Sequence, residues 1–233
     1  MTAIAQTPTN AFTATDTQAD ALQRMGGIAG ITAAITFLFG FALFLTTFEP
    51  LTTGDLDAVE TVAFLRNNQI MFYLWNLVIY VLFGIVQAVL ALALSARLRA
   101  NAPGLAQITA ALGLIWSGLV IASGMVANVG AATVIDLYAT DPEQAGTIWT
   151  AIDSVSRGMG GGNEIVGGLW VLLVSVGALR RALPKPLNVA GLLVGAAGIV
   201  TLVPPLADVG AIFGLGIIAW YIWVGVVLLR SHT

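Results

Sequence analysis

No cysteine occurs anywhere in the 233 residues. Disulfides, a thiolate nucleophile and cysteine-ligated zinc or iron–sulfur centres are therefore excluded. Histidine is nearly as scarce: a single copy, His232, leaves a histidine-based metal site nothing to build on. Charge is sparse as well. Charged residues make up 9% of the chain, against about 25% in soluble domains; one membrane domain is expected to use nearly all of the length. Serine–histidine, nucleotide-binding and nucleic-acid-binding signatures are all missing. We expect no cofactor, no metal and no nucleic-acid partner.

What the chain has is apolar length. It is 58% hydrophobic, with a mean hydropathy of +0.92. Six apolar stretches stand out, at about 27–47, 71–95, 108–135, 160–179, 187–203 and 210–229. A membrane-spanning helix needs roughly 20 mostly apolar residues, and most of the six meet that length. The expected fold is all-α: a polytopic bundle of six transmembrane helices, with the lipid bilayer as its first partner. Residues 1–23 are rich in Thr, Ala, Gln and Asp and have no basic run before an apolar core. They read as a disordered cytoplasmic tail rather than a cleavable signal peptide. Residues 24–233 read as the six-span membrane domain.

The charges sort by side. Arg24, Arg97, Arg99, Arg180, Arg181, Lys185 and Arg230 fall on one face of a six-span arrangement, and only Arg66 and Arg157 fall on the other. Glu49, Asp55, Asp57, Glu60, Asp136, Asp141, Glu143, Asp153 and Asp208 lie with those two. Basic residues collect in cytoplasmic loops, so both termini are expected in the cytoplasm of a cell whose inner (plasma) membrane holds the protein.

Turns at Pro103-Gly104 and Pro184-Lys185-Pro186 divide the spans into three hairpins. The outer connections of the first two hairpins look helical. Asp141-Pro142 offers an N-cap acid with proline at the first helical position. Ile148, Trp149, Ile152 and Val155 then recur at helical spacing, and Leu56, Val59, Val62 and Ala63 do the same. Both segments are expected to be amphipathic helices on the outer surface. Small residues mark the packing faces: Gly113, Ser117 and Gly124 on the third span, Gly161, Gly168 and Ser175 on the fourth, Gly191, Gly195 and Gly198 on the fifth, and Gly210, Gly214 and Gly225 on the sixth. Such faces let helices approach closely, and they allow a homodimer as well as internal packing.

Glu164 is the sharpest single residue. It stands seven positions after Arg157, or about 10 Å into the fourth span at roughly 1.5 Å per residue. An acid there costs on the order of 2.5–3.5 kcal/mol, so it must face the bundle, pair with a cation or hold a proton. One reading is a structural Arg157–Glu164 ion pair or a glutamate reaching outer water. The other is a proton-labile or cation-binding group lining a cavity. Asn76, Tyr80, Gly84 and Gln87 form a polar stripe along the second span, and Asn128 and Asn163 lie at similar depth. Together these residues outline a polar pocket in the outer half, although helix-to-helix hydrogen bonds would need the same side chains. The run Gly158-Met159-Gly160-Gly161-Gly162-Asn163 lacks the lysine and spacing of a phosphate loop and is expected to bend the chain. No span shows an evident transporter-like break. Trp220, Tyr221 and Trp223 read as core or interfacial aromatics.

From Asn163 to Leu202 the chain reads Asn-Glu-Ile-Val-Gly-Gly-Leu-Trp, then Leu183-Pro184-Lys185-Pro186-Leu187, then Gly191-Leu-Leu-Val-Gly195. This stretch resembles a bacterial family of small six-span membrane proteins of unknown function. The resemblance implies a bacterial inner-membrane location and brings no activity, substrate or site residue with it. The residues are best served by a non-enzymatic protein that binds a hydrophobic ligand or a membrane partner protein, in a sensory or accessory role. A small transporter coupled through Glu164 is a second class. An intramembrane enzyme using Glu164 and Asp208 as acid–base groups is a third.

Overall fold

The computed structural model describes residues 14–161, 164–179 and 182–230, and among them every regular element is helical. The helices are α1 (Ala14–Phe44), α2 (Ala58–Asn67), α3 (Gln69–Asn76), α4 (Phe83–Leu98), α5 (Pro103–Tyr138), α6 (Pro142–Ser156), α7 (Ile165–Ala178), α8 (Lys185–Val200) and α9 (Gly210–Arg230). A π-helical segment, Leu77–Leu82, joins α3 to α4, so residues 69–98 run as one helix of 30 residues. Two short 3-10 segments, Glu49–Leu51 and Pro204–Val209, lie in connections.

Five of these segments are long and apolar enough to cross a membrane: Asp20–Phe44, Gln69–Leu98, Pro103–Tyr138, Pro142–Ala178 and Gly210–Arg230. The 16 residues of α8 are apolar but shorter. The bundle closes in chain order. Helix α1 packs on α4, α4 on α5, α5 on α7, α7 on α8, α8 on α9, and α9 returns to α1. Its interior is filled by large side chains with almost no exposure, among them Trp170, Trp220, Tyr221, Phe213 and Leu90. Large apolar side chains also cover the outside, such as Ile35 on α1, Val129 on α5, Leu193 on α8 and Leu215 on α9. A soluble protein of this size does not expose apolar side chains all round; a protein solvated by lipid does. The chain is a multi-pass helical membrane protein.

Glycine sets the closest helix contacts. A Cβ placed on Gly168 of α7 would lie 2.7 Å from the Gly195 carbonyl oxygen and 2.8 Å from the Ile199 nitrogen of α8. One on Gly225 of α9 would lie 2.9 Å from the Gly27 carbonyl oxygen of α1. Lipid tails are as apolar as leucine, so packing at backbone distance is a main source of helix association in a bilayer.

We call the end away from the basic loops the outer end. Helix α5 has 36 residues, about 54 Å at roughly 1.5 Å per residue, well beyond the ~30 Å hydrocarbon core. Helices α2 and α6 form where the sequence places them. Asp57 and Glu60 make a reciprocal capping box at the start of α2, and the Asp141 side chain accepts from the Gln144 amide at the start of α6. Both pack on α5 and on each other. A second core of Phe48, Val62, Leu65, Phe72, Val134, Ala145 and Trp149 holds this outer tier together. The outer amphipathic helices therefore bury their apolar faces mainly in protein.

The fourth span departs from expectation. Its α-helix begins at Ile165, not near residue 160. Arg157–Gly161 form a π-helical turn that ends in a kink at Gly160, whose φ of +136° is open to glycine and strained for other residues. Glu164, with φ −107° and ψ 18°, precedes the first turn of α7 and is not inside a helix. The bend expected of the glycine run is found at Gly160, between α6 and α7.

Candidate functional site

Two cavities adjoin where the bundle meets the outer tier, sharing Phe44, Trp75 and Tyr80. The inner one, about 200 Å³, is walled by seven aromatic side chains: Phe37, Phe41 and Phe44 of α1, Trp75 of α3, Tyr80 of the π segment, Phe83 of α4 and Trp116 of α5. Gly40, Ile79, Val120 and Gly160 complete the wall, and Glu164 is its one charged residue. The rings hold one another. Phe37 meets Phe83 edge to face at 5.0 Å between centroids, Phe83 meets Trp116 at 5.4 Å, and Trp75 meets Tyr80 at 6.1 Å. The Trp75 indole N–H donates to the Gly40 carbonyl at 3.2 Å. Its polar edge is thereby satisfied by α1.

Two irregularities of backbone deliver the polar groups. The kink at Gly160 releases Glu164 from helical register. The Glu164 carbonyl accepts from the Gly168 amide at 2.7 Å to start α7, while its half-buried side chain reaches the cavity wall. The π segment widens the helix by a residue, a distortion common at functional sites, and sets Tyr80 against Gly124 of α5. A Cβ on Gly124 would meet the Tyr80 Cβ at 2.5 Å, so only glycine leaves room for the ring. Irregular backbone at membrane depth is tolerated where it is buried in protein or lines a cavity, and here it does line one.

The outer cavity is larger, about 520 Å³, and more polar. Asp57, Thr61, Asn76, Thr150, Asp153, Ser156 and Arg157 line it with the shared aromatics. Ser156 and Ser123 of α5 bond side chain to side chain at 2.8 Å, which pins the start of the kinked segment to α5.

Of the residues proposed from sequence, Glu164 and Tyr80 meet in the inner cavity, and Tyr80, Asn76 and Arg157 meet in the outer one. The Arg157–Glu164 ion pair does not form. Arg157 instead bonds Asp153 one turn back, Nε to Oδ2 at 2.6 Å, because the kink at Gly160 ends the helical face the two residues would have shared. The Glu164 carboxylate makes no hydrogen bond or ion pair with any described residue. Asn76 donates to the Phe72 carbonyl, and its buried Oδ1 has no donor among the described residues. Gln87 lies elsewhere, fully buried, accepting from the Tyr221 hydroxyl at 2.8 Å. Asn128 lines neither cavity, and Asn163 is outside the described residues. Asp208 falls on the Pro204–Val209 segment.

Sequence reasoning missed the aromatic wall. Its signal was available: Phe37, Phe41 and Phe44 follow the i, i+4, i+7 spacing of one helical face, with Gly40 beside them. A third cavity, about 470 Å³, lies at the opposite end of the bundle and includes Arg97, Lys185 and Arg230.

Chemically, the inner site can enclose a small, mostly apolar molecule and present one carboxylate to it. Among the described residues no group of three or more metal-ligating side chains gathers anywhere. No curated protein and no solved structure matches the chain. A family model does match, over residues 25–231, nearly the whole length described above. The chain belongs to the family described as domain of unknown function (DUF4386).

Proposed function

We propose that this protein is a ligand-binding membrane protein whose site is the aromatic cavity beside Glu164, serving a sensory or accessory role without catalysis. The observation that carries the reading is the cavity itself, lined by seven aromatic side chains and one carboxylate at a break in a membrane segment. Small-molecule sites are concave and mostly apolar, with few polar groups that fix orientation. A catalytic reading would need a second acid–base group within hydrogen-bond reach of the reacting atom. The Tyr80 phenol is the other ionisable group on the inner wall.

Val120→Phe tests it. Val120 is buried on the cavity wall beside Gly160, so a phenyl ring there fills the space a ligand would use. Native mass spectrometry of detergent-purified wild type should show a small organic adduct, and the variant should lose it while keeping a similar melting temperature. A wild type without adduct, or a variant that retains it, would overturn the reading.

For topology, we propose six crossings of the plasma membrane, with the shorter α8 as the fifth in chain order and both termini cytoplasmic. The segregation of Arg97, Lys185 and Arg230 at one end supports this orientation. Gln144 and Asn101 are both exposed, at opposite ends of the bundle. Cysteine at 144 should react with an impermeant maleimide on intact spheroplasts, and cysteine at 101 only after lysis. The reverse pattern would invert the orientation.

A further inference from the structure

Resting on the ligand-binding reading above, we propose that the aromatic cavity selects a compact organic monocation, with an alkylammonium or quaternary ammonium head, over a neutral molecule of the same shape. Three observations converge on the charge of the ligand. Glu164 is the one charged group on the inner wall, and its carboxylate has no cation among the described residues. Left bare in an aromatic enclosure, an ionised carboxylate would be costly, and a ligand cation is the complement that offsets this. Seven of the other wall residues carry aromatic rings, and ring faces carry negative quadrupole charge that attracts ammonium groups within about 6 Å of the ring centroid. Finally, the adjoining outer cavity is acidic on balance. Asp57 and Asp153 face a single basic residue, Arg157, which is already bonded to Asp153. The path through the outer tier therefore favours cations before the inner wall is reached.

Size limits the class further. A cavity of about 200 Å³ lies below the roughly 300–1,000 Å³ of drug-sized sites. It accommodates a head group of the size of tetramethylammonium or choline and excludes a bulky polycyclic cation. The same head group could arrive as a free solute or as the choline head of a phospholipid.

Choline and 3,3-dimethylbutan-1-ol make the decisive comparison, because they share a shape and differ in charge. Tryptophan fluorescence of the detergent-purified full chain reads binding through Trp75 and Trp116 on the wall. Choline should bind at least tenfold more tightly than the neutral alcohol. In Glu164→Gln that ratio should fall to within about twofold, with the neutral alcohol unaffected. The wild-type ratio stands independently of whether the variant folds.

Equal binding of the two probes would overturn the inference and leave the ligand-binding reading intact. Binding of neither probe, with the native-mass adduct still present, would overturn the cation assignment alone. Binding of neither probe with no adduct would remove both. Nanodiscs distinguish the sources. If phosphatidylcholine discs weaken choline binding relative to phosphatidylglycerol discs, the occupant is a lipid head group; equal binding in the two assigns the site to a free cation.

Discussion

Gly168→Leu should leave little monodisperse, folded protein after detergent extraction. The reason is the nature of the neighbours. Around a Cβ at this position stand the Gly195 carbonyl oxygen, the Ile199 nitrogen and the Gly198 carbonyl carbon, all within 2.9 Å and all backbone. A flexible side chain could swing aside; a helix backbone must translate. Separating α7 from α8 would forfeit a helix contact made at backbone distance, and it would move α7 relative to Glu164. Overpacking of well-packed cores usually costs about 1–3 kcal/mol, and a site limited by backbone on every side belongs at or above the top of that range. Gly118→Ala is the control. Gly118 is exposed on α5 with nothing within 4 Å of its Cβ position, so alanine there should be neutral or slightly stabilising, by about 0.5–1 kcal/mol. Size-exclusion profiles and melting curves of the two variants make the comparison. A well-folded Gly168→Leu would show that α7 and α8 are not held at backbone distance.

Trp170→Ala should be the most destabilising single truncation in the bundle interior. Its side chain is fully buried between Trp116 and Trp220, 5.8 Å from each by ring centroid. Its indole N–H donates to the Thr109 carbonyl of α5 at 3.0 Å. Truncation removes one of the three tryptophans of the core and takes a donor from the Thr109 carbonyl. Tryptophan-to-alanine changes in cores cost about 3–5 kcal/mol. In lipid the loss is one of dispersion contacts rather than of hydrophobic transfer, so the same packing defect is felt. Trp170→Phe keeps most of the volume and loses the bond, and it should recover more than half of the lost stability. Equal melting temperatures for Trp170→Ala and wild type would refute the packing argument. The Trp116 ring links this core to the cavity wall, so Trp170→Ala should also loosen the binding site.

Much of the architecture was legible in the chain because membranes impose simple rules. An unbroken apolar run of about 20 residues has few other uses. The capping residues Asp57 with Glu60 and Asp141 with Pro142 act within one turn of helix, so their effect is local and readable. Glycine faces on α7, α8 and α9 were legible too, because close approach needs small residues wherever the partner lies. The site was only half legible. Glu164 stood out because charge at membrane depth is expensive, and Tyr80 and Asn76 because polar groups in an apolar helix are rare. Of the two readings of Glu164, the ion pair with Arg157 is the one the structure does not form. Helical spacing was carried through Gly160, where the backbone leaves the helix.

What the sequence determined by itself is therefore the class: a helical membrane protein with charge sorted by face and one lone acid in its fourth apolar stretch, 160–179. Those properties depend on composition and on spacing within single segments. The tertiary structure alone decided that Phe37, Phe41 and Phe44 of α1 share a cavity with Trp75, Trp116 and Glu164. It also decided that the acid has no ion-pair partner among the described residues and that the π turn seats Tyr80 between two cavities. Each of these requires knowing which helix faces which. In a bilayer that choice is made by shape at backbone distance, as at Gly168 and Gly124, and not by the apolar pattern that all the helices share.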